Sequence, residues 1–585
     1  MATMDASVHF TVADQWERTA VAHSQRTCLT QVGDDSAVLR SLTFLEVDAS
    51  ANQFATWASG FGLMQADTVA LFMENRSEFI FAWLGVAKLG AKSAWINNTI
   101  KLQPLVHSIK IASARVLLFG FELADAVEAV HLDLANAGIH ALCLGGTPPF
   151  CVSVDAELEA KPCSAPDSKG REGVHFGDTM CYIYTSGTTG LPKAAIIHHQ
   201  TYVGVGEGFG ALVTADDVVY GSGMPLYHSA AGMVGVGPVI SIGCSYVIRR
   251  RFSAQAWLSD VRACKATVAQ YIGELARYVL AVPEHPKDAK NTLRLCLGNG
   301  LRPEYWEAFQ RRFAIDIIAE FYGATEGTGS FLNVTFLHNL LKGDRSGIGS
   351  VGKLTDPRVV FVRYDIDTDD VVRGPDGFCV LAAVDEPGEM LVREESQRAF
   401  RGYTDAASSK KKLLTDVFAR GDAYMRMGDL LKVDAQGWVY FVDRIGDTFR
   451  WKGENVSTAE VATELSKFKG VGEVNVYGVQ VPGSEDGRAG MAALVMDDVS
   501  EEGLAAFLNH AKAALPSYAV PLFLRVLPAM QITGTFKHQK VLLRKEGCDP
   551  SKVNDPIFHL QDGRYTRLDA GGYKRLTREG FRSRL

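Results

Sequence analysis

Residues 184–193 read YTSGTTGLPK, and this stretch decides how the rest of the chain is interpreted. It combines one aromatic residue, four hydroxyl residues, two glycines and a closing lysine: Tyr184, Thr185, Ser186, Gly187, Thr188, Thr189, Gly190 and Lys193. Glycines let the backbone approach an anion closely, while backbone N–H groups, hydroxyls and an ammonium supply donors. The stretch therefore predicts a loop that cradles phosphate. The apolar run CYIY at 181–184 predicts a strand, so we expect the loop to leave the edge of a sheet.

The spacing of this loop separates it from the common Walker loop. No Gly-Lys-Ser/Thr follows at the required distance, and Pro192 occupies the middle of the run. A polar turn between two strands is the alternative interpretation. The run closely resembles the signature of the adenylate-forming superfamily, which includes acyl-CoA synthetases, luciferases and the adenylation domains of peptide synthetases.

Composition narrows the class of protein. The chain has 585 residues, of which 47% are apolar and 22% charged, with a formal net charge of −7. Without a basic excess, nucleic acid is not an expected partner. The ten cysteines are scattered singly with no CxxC pair. This usage favours a reducing compartment over a zinc site or a disulfide framework.

Two apolar stretches bear on membrane insertion. Residues 78–96 include two lysines, which suits a core helix. Residues 229–248 have no charge and are long enough to span a bilayer. Because glycines and a proline interrupt them, we predict a buried helix followed by a strand. The first residues lack the basic start and apolar core of a secretory signal.

Strand and helix patterns alternate in the N-terminal part of the chain. Strands are predicted at 69–73 and 114–120, with a helix at 79–89 between them. This alternation indicates βαβ units around a mostly parallel sheet. Residues 147–173 are rich in proline, serine and charge and are predicted to form a surface loop.

The fold class predicted is α/β, with a large domain of mostly parallel layers followed by a small mobile α+β domain. Short β runs between 351 and 442 indicate a β-subdomain within the large domain, and a break follows at 443–447. The expected division is a large domain at 1–443, a small C-terminal catalytic domain at 444–541 and a basic extension at 542–585.

The second motif is FYGATEGT at 321–328. A strand-like run ends in a turn at Gly323 that presents Thr325 and Glu326. A carboxylate there can hold Mg²⁺, which neutralises phosphate oxygens, and Thr325 can bond a phosphate. The Tyr322 ring can stack on a purine. Such a turn alone is usually only polar, but because it follows the cradle at the superfamily's spacing, the resemblance implies a nucleotide site with Glu326 as the metal ligand.

Two further motifs, PLYHSAAG and LGNGLRP, lie between these. A lone histidine such as His228 is more often a core residue, whereas the resemblance implies that it lines the entry to the carboxylate site. The turn formed by Gly298, Asn299 and Gly300 resembles the segment against which adenine packs in the superfamily. Phe321 fills a place where a polar adenine-reading residue often sits, so the residue that reads the adenine amino group is left open.

The run 427–457 contains further positions that the resemblance marks. Asp429 would accept bonds from both ribose hydroxyls, and Arg444 would reach ribose or phosphate as a fixed cation. Gly446 falls at the hinge position of the superfamily. Lys452 and Gly453 belong to a loop that would face the site after the small domain rotates.

The last motif, ITGTFKHQK at 532–540, contains the candidate catalytic lysine. The superfamily's catalytic lysine lies in a glycine-bearing loop of the small domain, and Lys537 is the best match. Its ammonium would bridge the carboxylate substrate and the α-phosphate. Lys540 is the weaker candidate, and a solvated surface is the alternative interpretation of both.

The runs FRWKGENVST, TGTFKHQK and DPIFHLQDGRYTRLD are similar to those of the very-long-chain acyl-CoA synthetase and fatty acid transport protein family. The resemblance implies an acid–thiol ligase that uses ATP, Mg²⁺ and coenzyme A to activate long- or very-long-chain fatty acids through acyl-AMP. The alternatives are a CoA ligase for a bile, sterol, aromatic or peptide-like acid, or a membrane-associated fatty acid transporter.

The chain ends in Ser583-Arg584-Leu585, which resembles the peroxisomal address Ser-Lys-Leu. We expect a peroxisomal location and an import receptor as partner. A cytoplasmic protein or one in peripheral contact with a membrane is the alternative. The other interpretation is that the tripeptide occurs by chance.

Overall fold

The computed structural model describes residues 10–186, 191–325, 329–366, 368–395, 400, 402–451, 454–482, 488–531 and 539–579. Contacts divide the chain into two compact units. Unit 1 comprises Met1–Gly352 and Gln397–Lys412, and unit 2 comprises Lys353–Ser396 and Leu413–Leu585. The domain boundaries expected at 443 and 541 stay a prediction.

The strands of unit 1 are β1 (Thr27–Val32), β2 (Val38–Thr43), β3 (Thr68–Phe72), β4 (Lys92–Trp95), β5 (Val116–Gly120), β6 (His140–Leu144), β7 (Val152–Ser153), β8 (Thr179–Ser186), β9 (Pro192–His198), β10 (Val218–Tyr220), β11 (Ser245–Arg249), β12 (Val268–Ile272), β13 (Leu295–Asn299), β14 (Ile317–Gly323) and β15 (Ser330–Phe336). Its helices are α1 (Val12–Ala22), α2 (Phe44–Gly60), α3 (Ser77–Lys88), α4 (Leu102–Ile111), α5 (Ala124–Glu128), α6 (His131–Asn136), α7 (Asp155–Glu159), α8 (His199–Gly210), α9 (Gly237–Ile242), α10 (Trp257–Cys264), α11 (Gly273–Ala281), α12 (Pro303–Arg312), α13 (Leu337–Leu341) and α14 (Ala406–Lys411). Short 3₁₀ turns occur at Phe121–Leu123 and Ser168–Arg171, and a π-helical segment at Ala230–Gly235.

Two mostly parallel sheets form the frame of unit 1. One has the order β7-β6-β5-β3-β4-β8-β9 and the other β15-β14-β13-β12-β10-β11-β1-β2. Antiparallel pairs occur only at their edges among the described residues, where β8 pairs β9, β14 pairs β15 and β1 pairs β2. Parallel neighbours need crossover connections, and helices supply them here. The predicted α/β class is confirmed.

Helices pack against one another inside unit 1. Helix α1 contacts α2, α3, α8 and α9. Lys88 of α3 is fully buried there, with its ammonium 2.8 Å from Asp48 Oδ1 and 3.3 Å from Glu17 Oε1. The lysine that argued against a membrane span therefore lies in an ion-paired core position, as a buried charge requires.

The two apolar stretches fold as predicted. Residues 78–96 form most of α3 and then β4, while residues 229–248 form the π-helical segment, α9 and most of β11. Across the described ranges, none of the helices has both the length and the apolar character needed to cross a bilayer.

The predicted loop at 147–173 is only partly irregular. It contains β7, which pairs in parallel with β6, and the short helix α7. Val154 and Leu158 are both buried. Apolar residues four apart lie on one helical face, and this local pattern was hidden within a polar composition.

Unit 2 comprises further strands and helices: β16 (Gly352–Lys353, at the boundary with unit 1), β17 (Val359–Asp365), β18 (Asp370–Val371), β19 (Gly388–Arg393), β20 (Leu413–Thr415), β21 (Ala423–Val433), β22 (Trp438–Arg444), β23 (Phe449–Trp451), β24 (Glu454–Val456), β25 (Val471–Gln480), β26 (Arg488–Met496), β27 (Phe523–Val526), β28 (Ile557–Gln561), β29 (Arg564–Arg567), α15 (Thr458–Ser466), α16 (Glu501–Ala514), α17 (Val541–Glu546) and α18 (Ala570–Glu579). Strands β16 to β22 form a largely antiparallel sheet, and β23 pairs β24.

The C-terminal sheet runs in the order β25-β26-β27-β28-β29. Its core includes Tyr477, Phe507 and Phe523, each fully buried. The α+β composition predicted for this part of the chain is confirmed. Strands β28 and β29 come from residues 542–585, so this segment continues the sheet.

Candidate active site

The strands on either side of the cradle motif form an antiparallel pair at a sheet edge. Strands β8 and β9 are antiparallel, with Thr185 opposite Lys193 and the Ser186 backbone opposite Pro192. The predicted strand before the loop is confirmed. The tip residues Gly187, Thr188, Thr189 and Gly190 lie outside the described residues.

Helix α4 holds both stems of this hairpin. The Tyr184 hydroxyl donates to the Ser108 carbonyl at 2.5 Å, and His107 Nε2 lies 3.1 Å from the Pro192 carbonyl oxygen. Burial raises the pKa of Tyr184 well above its ordinary value. The phenol therefore stays protonated and keeps its hydrogen bond to the helix, which fixes the end of β8 against α4.

Lys193 lies on the opposite stem, beside residues that return to the hairpin from later in the chain. Its ammonium is 5.7 Å from the centre of the Tyr403 ring. The Thr404 N–H donates to the Ala194 carbonyl at 3.2 Å, so this returning segment covers the outer edge of β9. The pKa of Asp405 is lowered, chiefly by hydrogen bonds from Ser408, and the charge of Lys193 adds to this effect.

The structure brings the PLYHS and ATEG motifs together. Ser229 Oγ lies 3.1 Å from Thr325 Oγ1, although 96 positions separate them. The neighbouring His228 accepts the Ala230 N–H at its Nδ1 atom, at 3.2 Å. This contact places the segment that contains His228 beside Thr325, and the predicted roles of the two residues stay a prediction. Glu326, the predicted metal ligand, lies outside the described residues.

The segment after His228 is anchored to the helix that follows the cradle hairpin. The Tyr202 hydroxyl of α8 donates to the Gly232 carbonyl at 2.8 Å. A Cβ atom on Gly232 would lie 2.5 Å from the Trp95 ring, so a glycine is required there. These contacts connect His228 to both the α8 and β4 sides of the unit.

The glycine turn Gly298-Asn299-Gly300 lies at the end of β13 and is held from behind by Glu320 of β14. The carboxylate of Glu320 accepts the Gly300 N–H, the Leu301 N–H at 3.3 Å and the Tyr271 hydroxyl at 2.5 Å. Burial raises the pKa of Glu320 to about 8, because desolvation outweighs these donors. Sequence reasoning missed Glu320, since an acidic residue between apolar neighbours carries no motif.

Aromatic packing surrounds the predicted purine-stacking position. The Tyr322 ring lies 6.0 Å from the Phe331 ring on β15, and the Phe321 ring meets Phe209 of α8 edge-on at 5.1 Å. Gly323 is exposed at the end of β14. Phe321 therefore serves as a packing residue against α8.

In unit 2, Asp429 and Arg444 form a cross-strand pair on β21 and β22. Arg444 Nε lies 3.9 Å from Asp429 Oδ1, and half of the arginine side chain is exposed. A carboxylate beside a fixed guanidinium suits recognition of ribose and phosphate. Lys452, Gly453 and Lys537 lie outside the described residues.

Gly446 occupies a tight turn directly after this pair. The Asp447 N–H donates to the Arg444 carbonyl at 3.0 Å, and Gly446 has a φ of +84°. Residues other than glycine rarely adopt this conformation. The turn explains why a glycine is present at this position. The role of Gly446 as a hinge stays a prediction.

Lys540, the second candidate lysine, contacts two polar side chains. Lys540 Nζ lies 2.6 Å from Thr458 Oγ1 and 3.1 Å from Asp447 Oδ2. Asp447 also pairs with Arg544 at 3.2 Å. These contacts tie the start of α17 to the start of α15 and to the turn after Arg444.

The start of α15 is fixed by a buried carboxylate that sequence reasoning did not single out. Asp443 accepts the Thr458 N–H at 2.6 Å and the Thr458 hydroxyl at 2.8 Å. An acceptor at a helix N-terminus satisfies donors that would otherwise lack partners. Within the described part of the chain, no group of three or more His, Cys, Asp or Glu residues could hold a metal ion.

Comparison with known proteins identifies the family. The model of the AMP-binding enzyme family matches residues 16–404. The chain belongs to the AMP-binding enzyme family. Long-chain fatty acid transport protein 2 of Rattus norvegicus is 40% identical over 533 residues, covering 89% of this chain and 84% of the relative. Long-chain fatty acid transport protein 1 of Bos taurus is 39% identical over 558 residues, covering 92% and 84%.

Solved structures of CoA ligases and acyl-CoA synthetases share the fold. The anthranilate CoA ligase AuaEII in complex with anthranoyl-AMP has a TM-score of 0.77 at 22% identity, covering 93% of this chain and 98% of the ligase. A Mycobacterium tuberculosis fatty acyl CoA synthetase has a TM-score of 0.61 at 22% identity, covering 92% and 98%. The resemblance to the very-long-chain acyl-CoA synthetase and fatty acid transport protein family is confirmed, and so is the prediction of an enzyme of the acyl-CoA synthetase type.

Proposed function

We propose that this enzyme activates long- or very-long-chain fatty acids in two half-reactions. A carboxylate oxygen of the acid attacks the α-phosphorus of ATP, and pyrophosphate leaves with the electron pair of the broken P–O bond. The sulfur of the coenzyme A thiolate then attacks the acyl carbon, and AMP leaves. The names of the curated relatives supply the substrate class for this proposal.

The observation that carries the proposal is the contact between Ser229 and Thr325. It supports a shared site for a carboxylate at His228 and a nucleotide phosphate at Thr325. The cradle at Gly187–Gly190 and Lys193 would hold the β- and γ-phosphates. This arrangement supports attack of a carboxylate on a nucleotide.

The remaining nucleotide contacts follow from the same proposal. Adenine packs on the Gly298–Gly300 turn with Tyr322 on its other face. Asp429 and Arg444 hold the ribose.

Mg²⁺ belongs to the proposal as the partner of the ATP phosphates. The Thr325 hydroxyl and the adjacent Glu326 carboxylate are oxygen donors, the type that Mg²⁺ prefers. When bound, the ion neutralises phosphate charge as the acid approaches. Thr325 orients the phosphate, and the Ser229 hydroxyl fixes Thr325.

The two half-reactions require different groups at one site. We propose that Lys537 stabilises negative charge during adenylation and that rotation about Gly446 replaces it with the Lys452–Gly453 loop for thioester formation. Closure of the site also keeps water from the labile acyl-AMP.

A substrate screen tests the proposed acid. Purified enzyme with ATP and Mg²⁺ is offered saturated acids of graded chain length, a bile acid, an aromatic acid and a peptide-like acid, and pyrophosphate release is measured with and without coenzyme A. We expect the highest kcat/KM for long chains and an acyl-CoA product by mass spectrometry. A preference for any of the ring-bearing or peptide-like acids would refute the fatty acid assignment.

We propose that the enzyme is located in peroxisomes and that an import receptor recognises Ser583-Arg584-Leu585. A fluorescent protein fused to the N-terminus should give a punctate peroxisomal signal that disperses when these three residues are deleted. A diffuse signal, or one at a membrane, from the intact fusion would contradict this location.

A further inference from the structure

Glu320 is a buried acidic residue that no step of the proposed reaction uses. It lies on β14, two positions before Tyr322, and only 3% of its surface is exposed. Placing a carboxylate in such a position is unfavourable unless several donors compensate it. The presence of a carboxylate at this buried position therefore needs a reason other than packing.

Three donors from two other segments converge on this carboxylate. Oε1 accepts the Gly300 N–H and the Leu301 N–H, the latter at 3.3 Å, and Oε2 accepts the Tyr271 hydroxyl at 2.5 Å. Two of the donors are consecutive backbone groups at the end of the glycine turn. The carboxylate thus ties the turn to β14, the strand that leads into Tyr322 and Thr325.

Tyr271 on β12 reaches Glu320 on β14 across β13, the strand that lies between them. Tyr271, Gly298 and Glu320 lie in one row on the parallel strands β12, β13 and β14. A Cβ atom on Gly298 would lie 2.2 Å from the Tyr271 carbonyl oxygen and 2.6 Å from its ring. The missing side chain of Gly298 leaves the space through which the tyrosine ring passes.

We propose that Glu320 is a positioning residue for the nucleotide. By fixing the N–H groups of Gly300 and Leu301, it sets the height and tilt of the surface on which the adenine ring rests. This inference rests on the proposed function, which places adenine on the turn. Glu320 itself does not touch the nucleotide, because its oxygens are occupied by the donors behind the turn.

The test compares variants that remove the carboxylate to different degrees. Glu320→Ala removes all three bonds, whereas Glu320→Gln keeps an amide oxygen for the two N–H groups, and Tyr271→Phe removes only the hydroxyl. Asp217→Asn is the matched control: Asp217 is another buried carboxylate of unit 1, bonded to Arg294 and Thr267 away from the turn.

Two readouts are measured on folded protein, with folding checked by circular dichroism. One is KM for ATP and for the acid in the pyrophosphate assay. The other is the affinity for AMP by isothermal titration calorimetry without acid or coenzyme A. A displaced turn should raise KM for ATP and weaken AMP binding by about tenfold in Glu320→Ala, with KM for the acid within about twofold of wild type.

The expected order of the variants makes the outcome decisive. Glu320→Gln and Tyr271→Phe should fall between wild type and Glu320→Ala, while Asp217→Asn should lose stability with both nucleotide readouts unchanged. If folded Glu320→Ala bound AMP as tightly as wild type, the positioning role would be overturned. If Glu320→Ala failed to fold, Glu320→Leu would decide by the same criterion, because it also removes all three bonds while filling the buried space.

Failure of the proposed function would give results that differ from those expected if only the positioning role of Glu320 were wrong. Wild-type enzyme that neither binds AMP nor releases pyrophosphate with any acid would overturn the proposed function, and the positioning role with it. Wild-type activity with an insensitive Glu320 would overturn only the positioning role.

Discussion

Replacing Gly273 with alanine tests how closely the backbone at the start of α11 approaches the glycine turn at Gly298–Gly300. Gly273 is the first residue of α11, and a Cβ atom there would lie 1.7 Å from the Gly300 carbonyl oxygen, whereas ordinary contact begins at 3.4 Å. The same atom would lie 2.5 Å from the Gly300 carbonyl carbon. Both obstacles are backbone atoms, so the turn or the helix must move as a whole.

We expect Gly273→Ala to lower the free energy of unfolding by about 3 kcal/mol, near the upper end for overpacked sites. Because the displaced carbonyl belongs to the proposed adenine surface, KM for ATP should rise about tenfold. Urea unfolding followed by fluorescence and the pyrophosphate assay measure the two effects.

A control glycine separates this clash from a general effect of the substitution. Gly204 lies in α8, where an added Cβ would meet no atom within 4 Å. Gly204→Ala should be neutral or stabilising by up to about 1 kcal/mol, because alanine favours helix more than glycine does. If Gly273→Ala matched wild type in both urea midpoint and KM for ATP, the inferred packing of the turn would be refuted.

The other predictions concern the proposed catalytic groups. Lys537→Ala should slow acyl-AMP formation by about 10²-fold or more, the scale of one lost transition-state donor, while supplied acyl-AMP still reacts with coenzyme A at a near-normal rate. Lys540→Ala should instead lower the free energy of unfolding by about 1–3 kcal/mol and affect both half-reactions alike, since it leaves Asp447 without this partner. The reverse pattern would assign the catalytic role to Lys540 and the structural role to Lys537. Glu326→Gln should raise the Mg²⁺ concentration needed for half-maximal turnover, and an unchanged Mg²⁺ titration would remove it as a ligand. At Gly446, asparagine should fold and slow one half-reaction selectively, while valine should destabilise the turn at φ +84°; equal loss of both half-reactions in a folded asparagine variant would argue against a hinge.

The strands and helices with clear periodicity could be predicted from the sequence. The apolar runs at 69–73 and 114–120 form central parallel strands of unit 1, flanked on both sides by other strands. Such strands consist of continuous apolar residues because both faces are covered. The short β7 and α7 could not be predicted, because two buried residues within a polar segment produce too weak a pattern.

The motifs that contain His228 and Thr325 could be singled out from the sequence, whereas the contact that joins them is seen only in the structure. Glu320, Asp443 and Asp447 could not be predicted, because their roles depend on which strand ends and helix starts meet in three dimensions. Asp443, for example, lies near the end of β22 and caps a helix that begins 15 positions later. Local sequence contains no signal for such a pairing.

Transfer of oxygen from acid to AMP tests the central claim most directly. The enzyme is given a long-chain acid labelled with ¹⁸O at both carboxylate oxygens, together with ATP, Mg²⁺ and coenzyme A, and the products are examined by mass spectrometry. If the carboxylate attacks the α-phosphorus and the thiolate then displaces AMP, each AMP contains one ¹⁸O and pyrophosphate contains none. Label in inorganic phosphate or pyrophosphate, or AMP without label, would contradict an acyl-AMP mechanism.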